Sequence, residues 1–239
     1  IWLFCSTGKE YSIQLGMESD AMAVVNYYHP KRIELRKEPS ESNLILPELR
    51  SSHPMYGRLA MGDSEDPIIS ILLDETHDQS ISFLYIDKNN NEDFTDDDEA
   101  TWDEVKRDHM IKEVLIEVAY NGISPQTVPY PVSFYRYKNR LKDSIIAFRN
   151  GYREGNLALN DTTYRLAIFD DNLDGLFDEL DNGAIVIDMN LDGALDGKTD
   201  SDEYFSLKSP ITFGEENLRI KQISPAGDLI TFVTIDSFI

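Results

Sequence analysis

Three stretches of this chain share one acidic pattern: Asp87-x-Asn89-x-Asn91-x-Asp93-Phe94, Asp170-x-Asn172-x-Asp174-Gly175-x-Phe177-Asp178 and Asp188-x-Asn190-x-Asp192-Gly193-x-Leu195-Asp196. Oxygen-bearing side chains at positions 1, 3, 5 and 9, with a main-chain carbonyl at 7, supply the six to eight oxygens at roughly 2.3–2.6 Å that a calcium ion takes. Glycine at position 6 permits the sharp turn, and the apolar residue at position 8 (Phe94, Phe177, Leu195) pins the loop to a core. The residues leading in, Leu84-Tyr-Ile86, Leu166-Ala-Ile-Phe169 and Ile185-Val-Ile187, are strand formers. The loops are therefore expected on β-strands, EF-hand-like in spacing but without the flanking helices.

Taken singly, an Asp/Asn/Gly string also makes a good β-turn. Two full copies 18 residues apart, each entered from an apolar run, favour divalent binding. In the second loop Asp170, Asn172 and Asp174 are expected to ligate by side chain and Leu176 by its carbonyl. Asp178 would ligate directly or through water, with Asp181 at position 12. In the third, Asp188, Asn190, Asp192 and Asp196 lead and Ala194 gives a carbonyl. Thr199 at position 12 is too weak a ligand, so Asp200, Asp202 or Glu203 must reach back. The first loop has Glu92 in place of glycine and offers Asp87, Asn89, Asn91 and Asp93, closed by Asp98 or Glu99. The expected cofactor is structural calcium at the second and third loops, with a further site at the first.

Charge supports this reading. Residues 87–99 hold seven acids against one lysine and residues 170–203 twelve against one, so most of the formal net charge of -22 sits in the loops. Carboxylates packed this tightly repel one another unless cations neutralise them. The same charge disfavours nucleic acid and anionic membrane as partners. Cys5 is the single cysteine, which excludes an intrachain disulfide, a Cys-x-x-Cys pair and a zinc-thiolate cluster. The opening Ile-Trp-Leu-Phe-Cys-Ser-Thr-Gly reads as the tail of an apolar export segment running into a polar tether. Cys5 is then either a lipid anchor or a free, partly buried thiol; Phe4 stands where a lipobox has a small residue. No run of about 18 apolar residues occurs. Loops of this kind load at millimolar calcium, which points to a place outside the cytosol, periplasmic or attached to the envelope.

Short β-branched and aromatic runs bounded by Gly, Pro, Asn and Asp predict a mainly β fold. Strands are expected at 11–15, 21–28, 32–35, 57–61, 68–73, 82–86, 111–120, 130–137, 144–149, 151–159, 163–169, 184–187, 217–223 and 228–235. The one modest helix candidate is 97–107, acidic at its start and basic at its end. Arg58 to Asp63, Ile68 to Asp74 and Phe83 to Asp87 echo Asn156 to Asp161, Tyr164 to Asp170 and Ala184 to Asp188. This predicts two β-meander halves related by internal duplication, the first with one acidic loop and the second with two. Asn-Gly, Ser-Pro, Val-Pro and Tyr-Pro between Asn121 and Pro131 mark the boundary. The expected division is a tether over 1–20 and subdomains over 21–125 and 126–239.

The histidines, His29, His53, His77 and His109, lie outside the acidic loops, and no Gly-x-Ser-x-Gly, His-Glu-x-x-His or Walker motif occurs. A non-enzymatic accessory or interaction module is the first expectation, with a protein or glycan partner at the envelope. One alternative is a carbohydrate- or peptide-binding module using Tyr and Arg faces near Tyr135 and Tyr152, which also read as half-buried strand faces. The other is a metal-dependent hydrolase, which needs an incompletely coordinated ion in a cleft.

Arg149-Asn-Gly-Tyr-Arg-Glu-Gly155, Tyr164 to Asp178 and Ile187 to Gly197, with Glu203-Tyr-Phe-Ser-Leu, Pro210-Ile-Thr-Phe-Gly214 and Ile223-Ser-Pro-Ala-Gly227, resemble bacterial extracytoplasmic β-domains. These often precede a thioredoxin-like thiol:disulfide oxidoreductase domain. The resemblance spans roughly residues 55 to 235. It implies an exported or lipid-anchored accessory module and transfers no catalytic residue, and the thioredoxin-like domain with its cysteine pair is not in this sequence.

Overall fold

The structure is a computed structural model that describes residues 8–26, 28–39, 43–121 and 125–235. Cys5 and the proposed export segment before it lie outside the described residues. The protein is mainly β, with 49% of residues in strands and 2% in helix. In chain order the elements are β1 (Glu10–Gln14), β2 (Gly16–Glu18), α1 (Ala21–Val25), β3 (Lys31–Glu34), β4 (Met55–Ala60), β5 (Ile68–Glu75) and β6 (Ser82–Ile86). Then come β7 (Glu104–Val105), β8 (His109–Tyr120), β9 (Gln126–Tyr137), β10 (Ser144–Arg149), β11 (Tyr152–Leu159) and β12 (Thr162–Asp170). The last are β13 (Gly183–Ile187), β14 (Tyr204–Ser206), β15 (Ile211–Phe213), β16 (Glu216–Ile223) and β17 (Leu229–Ile235). No helix among the described residues is long and apolar enough to cross a membrane.

The chain forms two compact, sandwich-like units that interleave along the sequence. One holds the described residues up to 26, 152–171 and from 176 onward; the other holds those of 28–151 and 172–175. In the first unit the antiparallel sheets run β1-β17-β16-β15 and β14-β13-β12-β11-β2. Tyr164 of β12 meets Phe213 of β15 edge-on at 4.9 Å between ring centres, tying these sheets together. In the second unit they run β3-β10-β9-β8-β7 and β4-β5-β6. There Gly57 on β4 lies against Ile33 and Leu35, close enough that a methyl group would meet their side chains at 3.1 and 3.2 Å.

One polar clamp also spans the sheets of this second unit. Arg136 on β9, 1% exposed, pairs with Glu75 on β5 through Nη2 to Oε1 at 2.6 Å and Nε to Oε2 at 3.2 Å. Its remaining donors reach the carbonyls of Leu141, Lys142 and Ser144. A buried guanidinium is tolerable because every donor is engaged.

Of the Pro-rich stretch, residues 126–131 lie in the first half of β9, which pairs with β8 from His109↔Tyr137 to Tyr120↔Gln126. Strands β9 and β10 accordingly share a unit with β3 to β8. Two expected elements are corrected. The segment from Ala21 is a one-turn helix and not a strand: Asp20 and Asn26 adopt left-handed φ of 64° and 57°, and Ala21 and Val25, four apart, are the buried pair. The expected helix over 97–107 is absent. Lys112 Nζ instead ties the carbonyls of Glu99 and Thr101 at 2.6 and 3.1 Å, and Glu104–Val105 pairs with β8.

The two meanders that carry the acidic loops share one register. In the first, Leu59 pairs with Ile69, Ile71 with Ile86, and the Asp87 N–H donates to the Ser70 carbonyl at 3.0 Å. In the second, Leu157 pairs with Tyr164, Leu166 with Ile187, and the Asp188 N–H donates to the Arg165 carbonyl at 2.9 Å. Ile69, rather than Ile68, stands opposite the leucine as Tyr164 does. The strands behind the loops are fully buried at Ile71, Leu73, Leu84, Leu166, Ile185 and Ile187. Each such side chain contributes roughly 1.5–3 kcal/mol of burial.

Candidate metal centre

Loops 1 (from Asp87) and 3 (from Asp188) fold around their first aspartate in the same way. Asp87 is fully buried, and its Oδ1 and Oδ2 accept the N–H groups of Asn91 and Glu92, positions 5 and 6, each at 3.0 Å. Asp188, 5% exposed, accepts the N–H groups of Asp192 and Gly193, again positions 5 and 6, at 3.1 and 2.9 Å. At position 5, Asn91 Oδ1 takes the Asp93 N–H at 2.9 Å and Asp192 Oδ1 takes the Ala194 N–H at 2.8 Å. Positions 4 and 6 are left-handed in all three loops: Asn90 and Glu92, Leu173 and Gly175, Leu191 and Gly193. Loop 1 thus makes the turn with glutamate where the others have glycine. The position-8 anchors Phe94, Phe177 and Leu195 are 2%, 1% and 3% exposed. Phe94 packs in a core with Tyr56 and Leu72.

Within loop 1, Asn89 and Asn91 both turn their amide nitrogens toward Asp96 Oδ2, at 3.5 and 2.8 Å. The carboxylate that faces the loop is Asp97, not Asp98 or Glu99: its Oδ1 accepts the Lys88 N–H at 3.1 Å. Asp98 pairs with Lys88 Nζ at 2.6 Å. Burial pushes the Asp97 carboxyl up to about 7, with the charges of Asp87 and Asp96 adding to the shift. Asp87 is raised as well, by burial first, against the N–H groups of its own loop. Asp93 moves the other way, because Thr95 donates to its Oδ1 through both Oγ1 and N–H, at 2.6 and 2.8 Å.

In loop 3 the residue that reaches back is Glu203. It is 5% exposed and its Oε2 takes the Asp196 N–H at 3.0 Å. Asn190 Oδ1 accepts from Asp192 N–H at 2.8 Å, and Asp196 Oδ1 from Lys198 N–H at 3.3 Å. Arg165, forked onto Glu154 at 2.8 and 2.7 Å, also donates to the Gly193 carbonyl at 3.0 Å.

Loop 2 is divided by the two units. In the first unit Asp170 ends β12 fully buried, the Asp171 N–H donates to the Asn182 carbonyl, and the Phe177 N–H donates to the Pro225 carbonyl. Leu176 and Asp178 follow in the same unit. Asp181 pairs with Lys208 on the surface. In the second unit Asn172 Nδ2 donates to Asp174 Oδ2 at 2.7 Å, and the Asp174 and Gly175 carbonyls accept from Gly62 N–H and Tyr120 Oη.

Among the described residues no group of three or more His, Cys, Asp or Glu side chains is arranged so that it could hold a metal ion. The oxygen sets of loops 1 and 3 are mixed, with asparagine side chains and main-chain carbonyls beside the carboxylates. Their fit to a hard cation is tested by the acceptors left over. Asn89 Oδ1 and Asp97 Oδ2 in loop 1, and Glu203 Oε1 in loop 3, are buried and accept no hydrogen bond from the described residues. A buried acceptor left unmatched costs about 1–3 kcal/mol, more when charged. A divalent cation satisfies such oxygens, so the residues fit one.

The turn between β5 and β6, which occupies the place of loop 2 in the first meander, is built differently. Asp78 Oδ1 there accepts from Thr76 Oγ1, Ser80 Oγ and Ser80 N–H at 2.7, 2.7 and 3.1 Å, and these bonds hold its carboxyl down at about 2. Tyr152, offered either as part of a ligand platform or as a half-buried strand face, is 2% exposed and stacks on Phe169 at 5.8 Å. Tyr135 and Tyr137 flank His109 at 6.1 and 5.8 Å as a half-buried ledge.

No protein-family model matches this chain, and no curated protein or solved structure matches it at a significant level. The resemblance to extracytoplasmic β-domains therefore rests on the quoted motifs alone.

Proposed function

We propose that this protein is a non-enzymatic, calcium-stabilised β module that works outside the cytosol as an accessory or interaction partner at the cell envelope. The observation that carries the reading is the pairing of loops 1 and 3. Two segments 101 residues apart in sequence adopt the same aspartate-centred turn, and each has buried oxygens of Asn89 and Asp97, or of Glu203, with no donor among the described residues. At loop 1 the ion would be held by Asp87, Asn89, Asn91 and Asp97, with the Asp93 carbonyl. At loop 3 it would be held by Asp188, Asn190, Asp192, Glu203 and the Ala194 carbonyl, with Asp196 directly or through water. For loop 2 the set Asp170, Asn172, Asp174, Asp178 and the Leu176 carbonyl is proposed from the sequence spacing alone. Calcium bound there supplies charge neutralisation and cross-linking of the loop.

The shared register of β4-β5-β6 and β11-β12-β13 supports an internal duplication, with one ion in the first copy and two in the second. Extracytoplasmic residence belongs to the same proposal, and Cys5 stays open between a lipid anchor and a free thiol.

The test is calorimetric calcium titration with melting curves in calcium and in chelator, on wild type and on Asp87→Ala, Asp170→Ala and Asp188→Ala. Three ions per chain and a higher melting temperature in calcium are expected, with one ion lost per variant. Each site stabilises by about 2.7 kcal/mol at a hundredfold excess over its dissociation constant. Absence of both binding and stabilisation overturns the reading.

A further inference from the structure

A second kind of site lies in the unit of β3 to β10, away from the acidic loops in sequence and opposite to them in charge. It is a cavity of about 440 Å³ whose floor is the Arg136–Glu75 clamp and whose mostly apolar wall includes Pro54 and Met55. Lys37, Lys142, His53 and His77 stand around it. Glu75 is the one acid lining it, and both its oxygens are engaged: Oε1 by Arg136 and Gln79, Oε2 by Arg136 and Ser82. Among the described residues neither Lys37 nor Lys142 pairs with a carboxylate. In a chain of net charge -22 this is a locally cationic cavity.

We propose that this cavity binds a small organic acid: one carboxylate set between Lys37 and Lys142, and an apolar body laid on Pro54 and Met55. The volume falls in the range of small-molecule sites, about 300–1,000 Å³, which are mostly apolar with a few convergent polar groups. The choice of acid follows from the donors. Arg136 spends its whole fork on Glu75 and on the three carbonyls of residues 141, 142 and 144, so the two-pronged recognition that favours phosphate is not on offer. What remains are point charges on flexible stems, which suit a monoanion. The apolar wall rejects a fully hydrated one such as acetate.

The experiment uses the full chain with methyl-labelled methionine, in saturating calcium, and follows the Met55 methyl resonance, assigned by Met55→Leu. Hexanoate, phenylacetate and indole-3-acetate are titrated beside their neutral amides. The expected result is a saturable Met55 shift from at least one acid, about tenfold weaker binding of its amide, and a loss of about tenfold in Lys37→Glu/Lys142→Glu. Both lysines are exposed, and the single variants Lys37→Gln and Lys142→Gln, which weaken binding by a few-fold each, provide a second reading should the charge-reversed pair misfold. No saturable shift from any of the three acids, equal binding of the amides, or binding unchanged in the lysine variants overturns the proposal.

Discussion

Glu203 accepts the main-chain N–H of Asp196 through Oε2 at 3.0 Å, while its second oxygen, Oε1, is buried on the same carboxylate without a hydrogen bond among the described residues. One oxygen holds the chain in place, and on the proposed calcium reading the other would ligate the ion. This split gives a clean test, because glutamine retains the shape and the acceptor but not the charge. Glu203→Gln is expected to weaken calcium binding at loop 3 by roughly tenfold, about 1.4 kcal/mol, without lowering the melting temperature in chelator. Unchanged calcium affinity by calorimetry would remove Glu203 from the site.

The pH dependence of stability separates loop 1 with and without calcium. Burial raises the Asp97 carboxyl from its ordinary value of 3.8 to about 7, so between these limits the folded protein without calcium holds a proton that the unfolded chain has released. A state that binds more protons loses stability as pH rises. Melting temperature in chelator is therefore expected to fall from about pH 4 to pH 7, and Asp97→Asn to flatten the slope. Asp87, also raised, adds in the same direction. Calcium favours the carboxylate form, so the slope should shrink or reverse in calcium; parallel curves with and without the ion would contradict this.

Much of the fold was legible in sequence, because alternation bounded by turn residues fixes strands such as Ser82–Ile86 and Ser144–Arg149 to the residue. Ala21–Val25 misled because its valines are strand formers, whereas the deciding residues are its left-handed neighbours Asp20 and Asn26. The strands Tyr204–Ser206 and Ile211–Phe213, three residues each, are too short to show a period. In the loops, spacing located Asp87 and Asp188, whose roles are set by the adjacent chain. Among the four successive acids Asp96 to Glu99 the expectation falls on Asp98 or Glu99, but a turn sends neighbours in different directions and the Lys88 N–H singles out Asp97. The cavity was invisible, because the Arg136–Glu75 pair that floors it joins residues 61 apart.

Gly193 isolates the conformational demand of the loop turn. Its φ is 85°, and nothing lies within 4 Å of where a methyl group would stand. Gly193→Ala is expected to cost about 1–2 kcal/mol from backbone conformation alone. Gly175→Ala should cost more, since its methyl would also meet Val118 Cγ1 at 3.1 Å and Gly62 N at 3.3 Å. Urea unfolding of the two variants checks the order.

The buried clamp between β5 and β9 predicts strong coupling. Arg136→Met leaves the Glu75 carboxylate buried without its partner and is expected to cost about 3–5 kcal/mol. Glu75→Leu/Arg136→Met should recover most of that loss. A double-mutant cycle by chemical denaturation measures the coupling, and simple additivity of the two single variants would refute it.

The hairpin of β5 and β6 is tied off by the hydroxyls of Thr76 and Ser80 around Asp78, with no call on a metal. If the loops bind calcium as proposed, this turn needs none of it, and depletion of the ion would loosen the loop tips rather than the β5–β6 hairpin. On the calcium reading proposed above, such a chain would keep its sheets while the ion is scarce and would stiffen its acidic loops once the ion is plentiful.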